Sequence, residues 1–453
     1  MILTRPLTTG FFALENIAFH KNQNEGNMKQ DNLFYNEQFP PRIRYQKLFR
    51  YLPEIPYSYC RGRPRTNPNI MLRCFVYRCL RRLATISDLA HSLAENPSLA
   101  DAVGLGPFAA IPSVERFSAW LRSTPNECLR LVRFSLIHHL VQRGAVQGKV
   151  VALDSAPIPS PVRENNMKTS QADRFNKDRY PNTDPDARLG VYRVFPSPGP
   201  QRIQYFWGYR NHITVDFHTE LPLWEETRQA NIHESKVAVP MLQACSNKLN
   251  LSTKTVCADS AYDNEKILAY IIEDLKAQPI IAPNNRYQQN KQFRLQGKVI
   301  LCPAELPMIF KGRMTPKKTG ITYRQYCCPL HYGKRLPQKS LFCPANHPKF
   351  FSQKGCYFLQ RVTPSYRSQI DYGSPQFGKH YKKRTSVERV FSRLLSIALQ
   401  KPTVRGLLAI QNYCTIAHIA VLLVATAAYE QGHPDKLAFV RSFVPNFMVE
   451  SPV

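Results

Sequence analysis

The spacing of apolar residues changes twice along the chain, dividing it into a helical part, a strand-containing part and a second helical part. Between residues 42 and 145, four segments place apolar side chains three and four residues apart, as amphipathic helices do. From Gly148 the pattern becomes short apolar runs and alternation, which predict strands. The apolar run Thr415–Tyr429 predicts a buried core helix, because about 15 residues are too few to span a bilayer comfortably.

Two of the predicted strands end in an aspartate. GKVVALDSAPIP contains Asp154 and TKTVCADSAYD contains Asp259, while WGYRNHITVDF and LPLWEETRQA between them predict a β-hairpin. The polar stretch 163–202 predicts a long loop, and PIIAP predicts a further strand. The order strand, hairpin, helix, strand, helix, strand predicts an α/β fold with mixed pairing. A hairpin is antiparallel, whereas a helical crossover permits a parallel pair.

The stretch YKKRTSVERVFSRL predicts a helix near the C-terminus. Thr385 or Ser386 is the expected N-cap, with Glu388 at capping-box spacing from Thr385. Glu388 and Arg384 lie four residues apart, so both project from the same side of the first turn. Taken alone, this segment is typical of a surface helix with ion pairs on its solvated face.

Positive charge is strong and unevenly distributed. Lys and Arg number 61 against 32 Asp and Glu, a formal net charge of +29. Between Asn284 and Arg384 there are 20 basic residues and two acids. Such a surface predicts a polyanionic partner, because cations that neutralise phosphates release counterions. With 43% hydrophobic residues and no secretory signal at the N-terminus, we expect a globular cytoplasmic, nucleoid-associated protein without a membrane anchor.

Three acids carry the candidate chemistry: Asp154 and Asp259 at strand ends, and Glu388 on a helix. Converging carboxylates repel one another unless a cation lies between them, and Mg²⁺ prefers oxygen ligands. Two such ions about 3.5–4 Å apart can activate an attacking water or hydroxyl and stabilise the leaving oxygen. Strand-end aspartates also cap turns, so their order along the chain is the more specific signal.

The chain resembles DDE-type insertion-sequence transposases over most of its length after about residue 45. The matching segments are ALDSAP with Asp154, GYRNHITVD from Gly208, ANIHES from Ala230, ADSAYD with Asp259, and KRTSVERVFSRL with Glu388. The resemblance implies a ribonuclease H-like catalytic domain in which Asp154, Asp259 and Glu388 are the catalytic acids and hold Mg²⁺ or Mn²⁺. It also implies an insertion before the Glu-bearing helix.

A second signature of these transposases places Tyr, Arg, Glu and Lys at fixed spacing. Its first three positions match here, ending at Glu388, but Leu395 stands at the Lys position. The resemblance associates the Tyr and Arg with DNA phosphates, and two nearby arginines are candidates to replace the missing Lys. The expected phosphate contacts are Tyr381, Arg384, Arg389 and Arg393. Leu395 argues against carrying over a DNA-hairpin intermediate.

The predicted fold class is α/β, a ribonuclease H-like mixed sheet with a β-rich basic insertion, preceded by a helical N-terminal domain. The expected domains are a loose arm (1–40), a helical DNA-binding domain (41–146), the first part of the catalytic domain (147–283), the Cys-containing insertion (284–380), the Glu-bearing and C-terminal helices that complete the catalytic domain (381–432), and a tail (433–453).

Cysteines and secondary acids supply further candidates. The insertion offers four possible zinc ligands, Cys302, Cys327, Cys343 and Cys356. Without paired CxxC knuckles, free thiols in ordinary β-rich packing are favoured over zinc. Secondary candidates are Asp216, Glu234 and Asp263, of which Asp263 is expected to cap the following helix. Asn231 and His233 lie in a segment that matches the family pattern, and both a scaffold role and a catalytic role remain open for them.

The predicted function is that of a Mg²⁺-dependent transposase. It binds the terminal inverted repeats of an insertion sequence, cleaves the double-stranded DNA, and joins the freed end to target DNA as a dimer on DNA. Two alternatives remain open: a catalytically inactive or repurposed DNA-binding protein, and a related metal-dependent nuclease without strand transfer.

Overall fold

The computed structural model describes residues 41–55, 66–168, 173–194, 202–284, 293–296, 299–317, 320–331, 342–348, 350, 356–362, 364–399 and 402–440. The predicted arm, residues 1–40, lies outside the described residues, as does the predicted tail from residue 441 on. The chain forms two compact units, one of Met1–Cys257 with Lys382–Val453 and one of Ala258–Tyr381. The predicted domain boundaries stay a prediction.

Helices open the first unit, and local capping signals set where two of them begin. Asn67 caps α2 with Pro68 at its first position, where the missing N–H costs nothing. Thr85 and Asp88 form a reciprocal capping box at the start of α3. The helices are α1 Pro41–Phe49, α2 Pro68–Leu80, α3 Ile86–Glu95, α4 Pro97–Ala102, α5 Val114–Ser123 and α6 Asn126–Gln142.

A mixed sheet follows the helices. Strand β1 pairs antiparallel with β3 on one side and parallel with β5 on the other, and β3 also pairs antiparallel with β2 and β4. Three antiparallel strands followed by a parallel one, in the order β4-β3-β1-β5, confirm the predicted ribonuclease H-like α/β fold. The strands are β1 Val150–Pro159, β2 Arg188–Val194, β3 Arg202–Asp216, β4 Pro222–Gln229 and β5 Thr255–Ala258.

The prediction of a loop throughout 163–202 was wrong. Strand β2 lies within that stretch and takes its backbone hydrogen bonds from the first half of β3, from Arg188 opposite Gly208 to Val194 opposite Arg202. The strand was not apparent in the sequence because it lies in a polar stretch and pairs in part with the exposed β3 residues 202–205. A pair of strands at the surface does not need the apolar alternation that marks a half-buried strand.

Strands β1 and β3 come very close where Pro159 lies opposite Gly208. A Cβ atom on Gly208 would lie 2.3 Å from the carbonyl oxygen of Ile158 and 2.8 Å from the amide nitrogen of Ser160. Both are backbone atoms, and Ser160 N–H also donates to the Trp207 carbonyl. The glycine that opens GYRNHITVD is therefore required by close backbone approach.

Long helices cover both faces of the sheet. On one face, Cys245 of α7 (Ala238–Leu249) lies 3.2 Å from Thr214. On the other, Thr415 of α11 (Leu407–Glu430) donates to buried Glu225 at 2.7 Å. Helix α11 is long and apolar enough to cross a membrane by composition alone, but 83% of its most apolar window is buried inside the protein. The predicted C-terminal core helix is thus observed.

The second unit contains short helices and small sheets. Strands β9, β10 and β11 form an antiparallel sheet, and β7 pairs with β8. Asp263 does not cap α8, because Asn264 is the capping residue; Asp263 is buried and accepts from Arg367 Nε at 2.6 Å. The elements are α8 Glu265–Ala269, β6 Gln278–Ile281, β7 Arg294–Gln296, β8 Val299–Leu301, β9 Ile309–Met314, β10 Tyr323–Cys327, β11 Tyr357–Arg361 and α9 Pro375–Tyr381.

We expect Gly208→Ala to lower the free energy of unfolding by about 3 kcal/mol, because the new methyl group overlaps backbone atoms that cannot move aside. Urea unfolding followed by circular dichroism measures this. Gly378→Ala in α9 is the matched control, since a Cβ there meets nothing within 4 Å. Equal stability of both variants would contradict the close approach.

Candidate active site

Glu388 lies on α10, Thr385–Leu394, which packs against β1 and β3 of the first unit. The helix buries Val387 and Val390, which leaves Glu388 on its exposed side. The predicted capping box was wrong. A helical turn already precedes Thr385, so its hydroxyl donates backwards to the Lys382 carbonyl at 2.9 Å instead of capping the helix.

Arg384 bridges two of the three predicted acids. Its Nη1 lies 3.3 Å from Oδ2 of Asp154, and its Nη2 lies 2.5 Å from Oε1 of Glu388. The other carboxylate oxygen of Asp154 accepts the Ser155 backbone N–H at 2.8 Å. One guanidinium therefore holds a strand carboxylate and a helix carboxylate together, and Arg384 and Asp154 each keep only 21% of their side chain exposed. The i, i+4 spacing predicted the contact with Glu388; sequence gave no signal for the one with Asp154.

The opposite face of β1 carries a separate polar cluster around Glu234, one of the secondary candidates. Ser155 follows Asp154, so its side chain points to the other side of the sheet. Its hydroxyl donates to Glu234 at 3.3 Å, and Arg210 binds the same Glu234 oxygen at 3.0 Å. Glu234 is thus neutralised by an arginine on the sheet face away from Asp154. This ion pair gives Glu234 a structural role.

His212 lies beside this cluster, directly opposite Ser155 in the β1–β3 pair. Its side chain is 1% exposed, and neither ring nitrogen has a hydrogen-bond partner among the described residues. Burial lowers the pKa of His212 from its usual 6.5 to about 4, because the imidazolium loses its hydration. The ring is therefore neutral at physiological pH.

Two of the predicted phosphate contacts are bound to an acid of the protein. Arg389 and Arg393 both form ion pairs with Glu220, which adopts a left-handed conformation in the turn between β3 and β4. Arg393 Nη1 also donates to the Glu220 carbonyl at 2.8 Å. These contacts tie α10 to the sheet. Sequence reasoning missed Glu220, whose only local signal is its position in a turn.

The remaining predicted residues divide between the units. Asp216, in the first unit, accepts from Gly148 N–H at 3.2 Å and from Thr219, so it supports a turn. Asp259 belongs to the second unit; it follows β5, and its Oδ1 accepts Ala261 N–H at 2.9 Å. Tyr381 ends α9 in the same unit, with its ring stacked on Phe377.

The four cysteines named as possible zinc ligands, an arrangement that was not favoured over free thiols, do not share one hydrophobic cluster among the described residues. Cys343 and Cys356 pack with Cys328 around Phe350, whereas Cys302 belongs to a different cluster. Cys327 ends β10. The backbone N–H of the next residue, Cys328, donates to the Cys356 carbonyl. Within the described residues, no three His, Cys, Asp or Glu side chains lie close enough together to hold a metal ion.

Comparison with known proteins assigns the family. The family model described as "Transposase DDE domain" matches residues 182–423, more than half of the chain. The chain belongs to the DDE transposase family. The matched range includes Asp259 and Glu388, while Asp154 precedes it. The recognition made from the sequence motifs is confirmed.

Other comparisons add little. No curated protein matches the chain. Among solved structures, the cryo-EM structure of a piggyBac transposase synaptic complex with hairpin DNA is 11% identical, covers 93% of this chain and 81% of that chain, and superposes with a TM-score of 0.35. The assignment rests on the family match, since so loose a superposition carries no argument.

We expect acid to destabilise this DDE transposase partly through His212. Its pKa is lower in the folded protein than in the unfolded chain, so the unfolded chain takes up a proton first as pH falls from 6.5 towards 4. When the pH is lowered from 7 to 4.5, the free energy of unfolding should fall by about 2 kcal/mol less in His212→Leu than in the wild type. Urea titrations at both pH values test this. Burial also lowers the pKa of His418, but that effect is common to both proteins and cancels.

Proposed function

We propose that this DDE transposase cleaves DNA at the ends of an insertion sequence and joins the freed ends to target DNA, with Asp154, Asp259 and Glu388 as its metal ligands. The observation that carries the proposal is the convergence of Asp154 and Glu388 on one cation, the Arg384 guanidinium. Asp154 lies 230 residues before Arg384 in the chain, so a distant strand and the Glu-bearing helix share that positive charge. A site that gathers acids around a cation suits a divalent metal ion.

Asp259 is proposed as the third ligand from its place in the chain. Cys257 lies opposite Ala152 in the parallel pair of β5 and β1. Asp259 follows Cys257 by two residues, and Asp154 follows Ala152 by two residues. The two aspartates therefore hold equivalent positions after paired residues of neighbouring strands, and the family match includes Asp259.

The oxygen ligands of all three acids suit Mg²⁺ or Mn²⁺, which would lower the pKa of a bound water and offset charge on the leaving oxygen. In the hydrolytic step, a water oxygen bonds to phosphorus, the bond from phosphorus to the 3′ oxygen breaks, and that oxygen takes a proton. In joining, the freed 3′-hydroxyl oxygen gives up its proton and bonds to phosphorus in the target strand. The bond from that phosphorus to the target's own 3′ oxygen breaks, and that oxygen takes a proton. Arg384 is proposed to exchange its ion pairs with Asp154 and Glu388 for a hydrogen-bonded ion pair with a phosphate oxygen, since a guanidinium binds phosphate strongly.

The substrates proposed are duplex DNA ending in the terminal inverted repeats and a second duplex as target, with a dimer holding the two ends. The family match and the net charge of +29 support a DNA substrate. A nuclease without strand transfer would cut the same DNA but leave no joined product, so a supercoiled plasmid target distinguishes the two functions.

Glu388→Gln should reduce cleavage of repeat-ended DNA by at least about a hundredfold, because an amide neither carries the charge nor holds the ion comparably. DNA affinity should stay within about threefold of wild type. Cleavage of a labelled duplex and gel-shift titration measure the two properties. Glu234→Gln is the matched control, since that acid is paired with Arg210 on the other sheet face. Undiminished cleavage by Glu388→Gln would remove Glu388 from the site.

Arg384→Gln should make the protein more responsive to metal ions in the absence of DNA. Without the guanidinium, Asp154 and Glu388 repel each other until a divalent cation replaces it. Thermal melting without MnCl₂ and at MnCl₂ concentrations raised in roughly 10-fold steps measures this. The rise in Tm should be larger for this variant than for the wild type. Arg389→Gln is the control, because it removes an arginine from the same helix that is paired with Glu220 and not with the candidate acids. A Tm response identical in all three proteins would contradict the bridging role.

A further inference from the structure

A groove in the first unit is not used by the proposed chemistry. It lies between β4, α6 and α7 and has a volume of about 580 Å³. Its walls carry four cations and three amides, with one acid among them. These polar residues are Arg130, Arg228, Lys236, Lys248, Gln229, Gln243, Asn247 and Glu226.

The lining of the groove contains more cations than acids. Glu226 binds two of them, Arg130 at 2.8 Å and Arg228 at 2.6 Å, so one negative charge is shared by two guanidiniums. Lys236 and Lys248 are exposed on the other wall. Lys248 Nζ lies 5.3 Å from the ring centre of Trp224, a cation–π contact that keeps the lysine over the groove floor. The lining therefore keeps a net positive charge of three.

The groove is separate from the acids. Glu226 of β4 lies opposite His212 of β3, and His212 lies opposite Ser155 of β1. Side chains opposite one another point to the same face, so Glu226 shares a face with Ser155. Asp154, the neighbour of Ser155, points to the other face, where α10 brings Glu388 and Arg384. A ligand in the groove does not touch the candidate active site.

We propose that this groove binds the phosphate backbone of duplex DNA away from the bonds that are cut. The proposal rests on the proposed function, because it requires DNA as the substrate. Arginine, lysine and amide side chains are the groups that contact phosphates in protein–DNA complexes, and such contacts position a duplex without reading its sequence. The floor, formed by Trp224, Met241 and Pro240, supports the polar walls.

Salt dependence of DNA binding tests the proposal on the full-length protein. The variant Lys236→Gln/Lys248→Gln removes two cations from one wall and leaves the Glu226 ion pairs intact. Each phosphate contact adds about 0.9 to the slope of log affinity against log salt, so the slope should become shallower by about 1.8. Affinity for a duplex of random sequence should fall at least about tenfold at 0.1 M salt.

Two control variants separate the groove from overall charge. Lys149→Gln/Lys254→Gln removes the same charge from exposed lysines of the first unit that do not line the groove. Lys236→Arg/Lys248→Arg keeps the charge in the groove and should retain the wild-type slope. Thermal melting of each variant checks that it is folded.

Loss of slope in the groove variant alone supports the proposal. An equal loss in both charge-removing variants overturns it, since overall charge then explains the effect, and so does an unchanged slope in all of them. Weaker binding of inorganic phosphate by the groove variant, with DNA binding unchanged, also overturns it, because the groove then takes a small anion. Failure of the wild type to bind any duplex would instead count against the proposed function.

Discussion

The first unit depends on the burial of α11, which packs against helices from one end of the chain and strands from its middle. Nineteen of its 24 residues are buried, and several of its polar side chains are hydrogen-bonded to other elements. Asn412 meets Asn126 of α6 at 3.0 Å, and His418 meets Asn211 of β3 at 3.0 Å. A buried polar group without a hydrogen-bond partner destabilises the fold by more than one hydrogen bond stabilises it. These contacts therefore favour the observed position of the helix over one shifted along its axis.

This burial has a consequence for the candidate site. Residues after Lys382 supply α10 and α11, and both pack onto strands that precede Cys257. The chain leaves the first unit after Cys257 and returns to it at Lys382. The carboxylate of Glu388 thus approaches Asp154 only because the returning segment is anchored by the apolar core beneath it.

Much of this arrangement follows from the sequence, and the exceptions have physical causes. Apolar runs long enough to be buried predicted β1, β5 and α11, since burial imposes composition. Strand β2 was missed because it lies in a polar stretch and is specified by its pairing with β3. The capping box at Thr385 was wrong since the pattern Thr-x-x-Glu also occurs within a continuing helical segment. Ion pairs between distant residues, such as Arg389 with Glu220, leave no mark on local sequence.

The positive charge of the protein is not equally available everywhere. Around the acids, arginines are matched by carboxylates: Arg389 and Arg393 by Glu220, and Arg384 by Asp154 and Glu388. In the proposed chemistry, a metal ion bound by the acids would free Arg384 to hold a phosphate. On the other face, the cations that line the proposed DNA groove outnumber its single acid. The two proposed DNA contacts therefore differ, since one would be coupled to metal binding and the other would depend on charge alone.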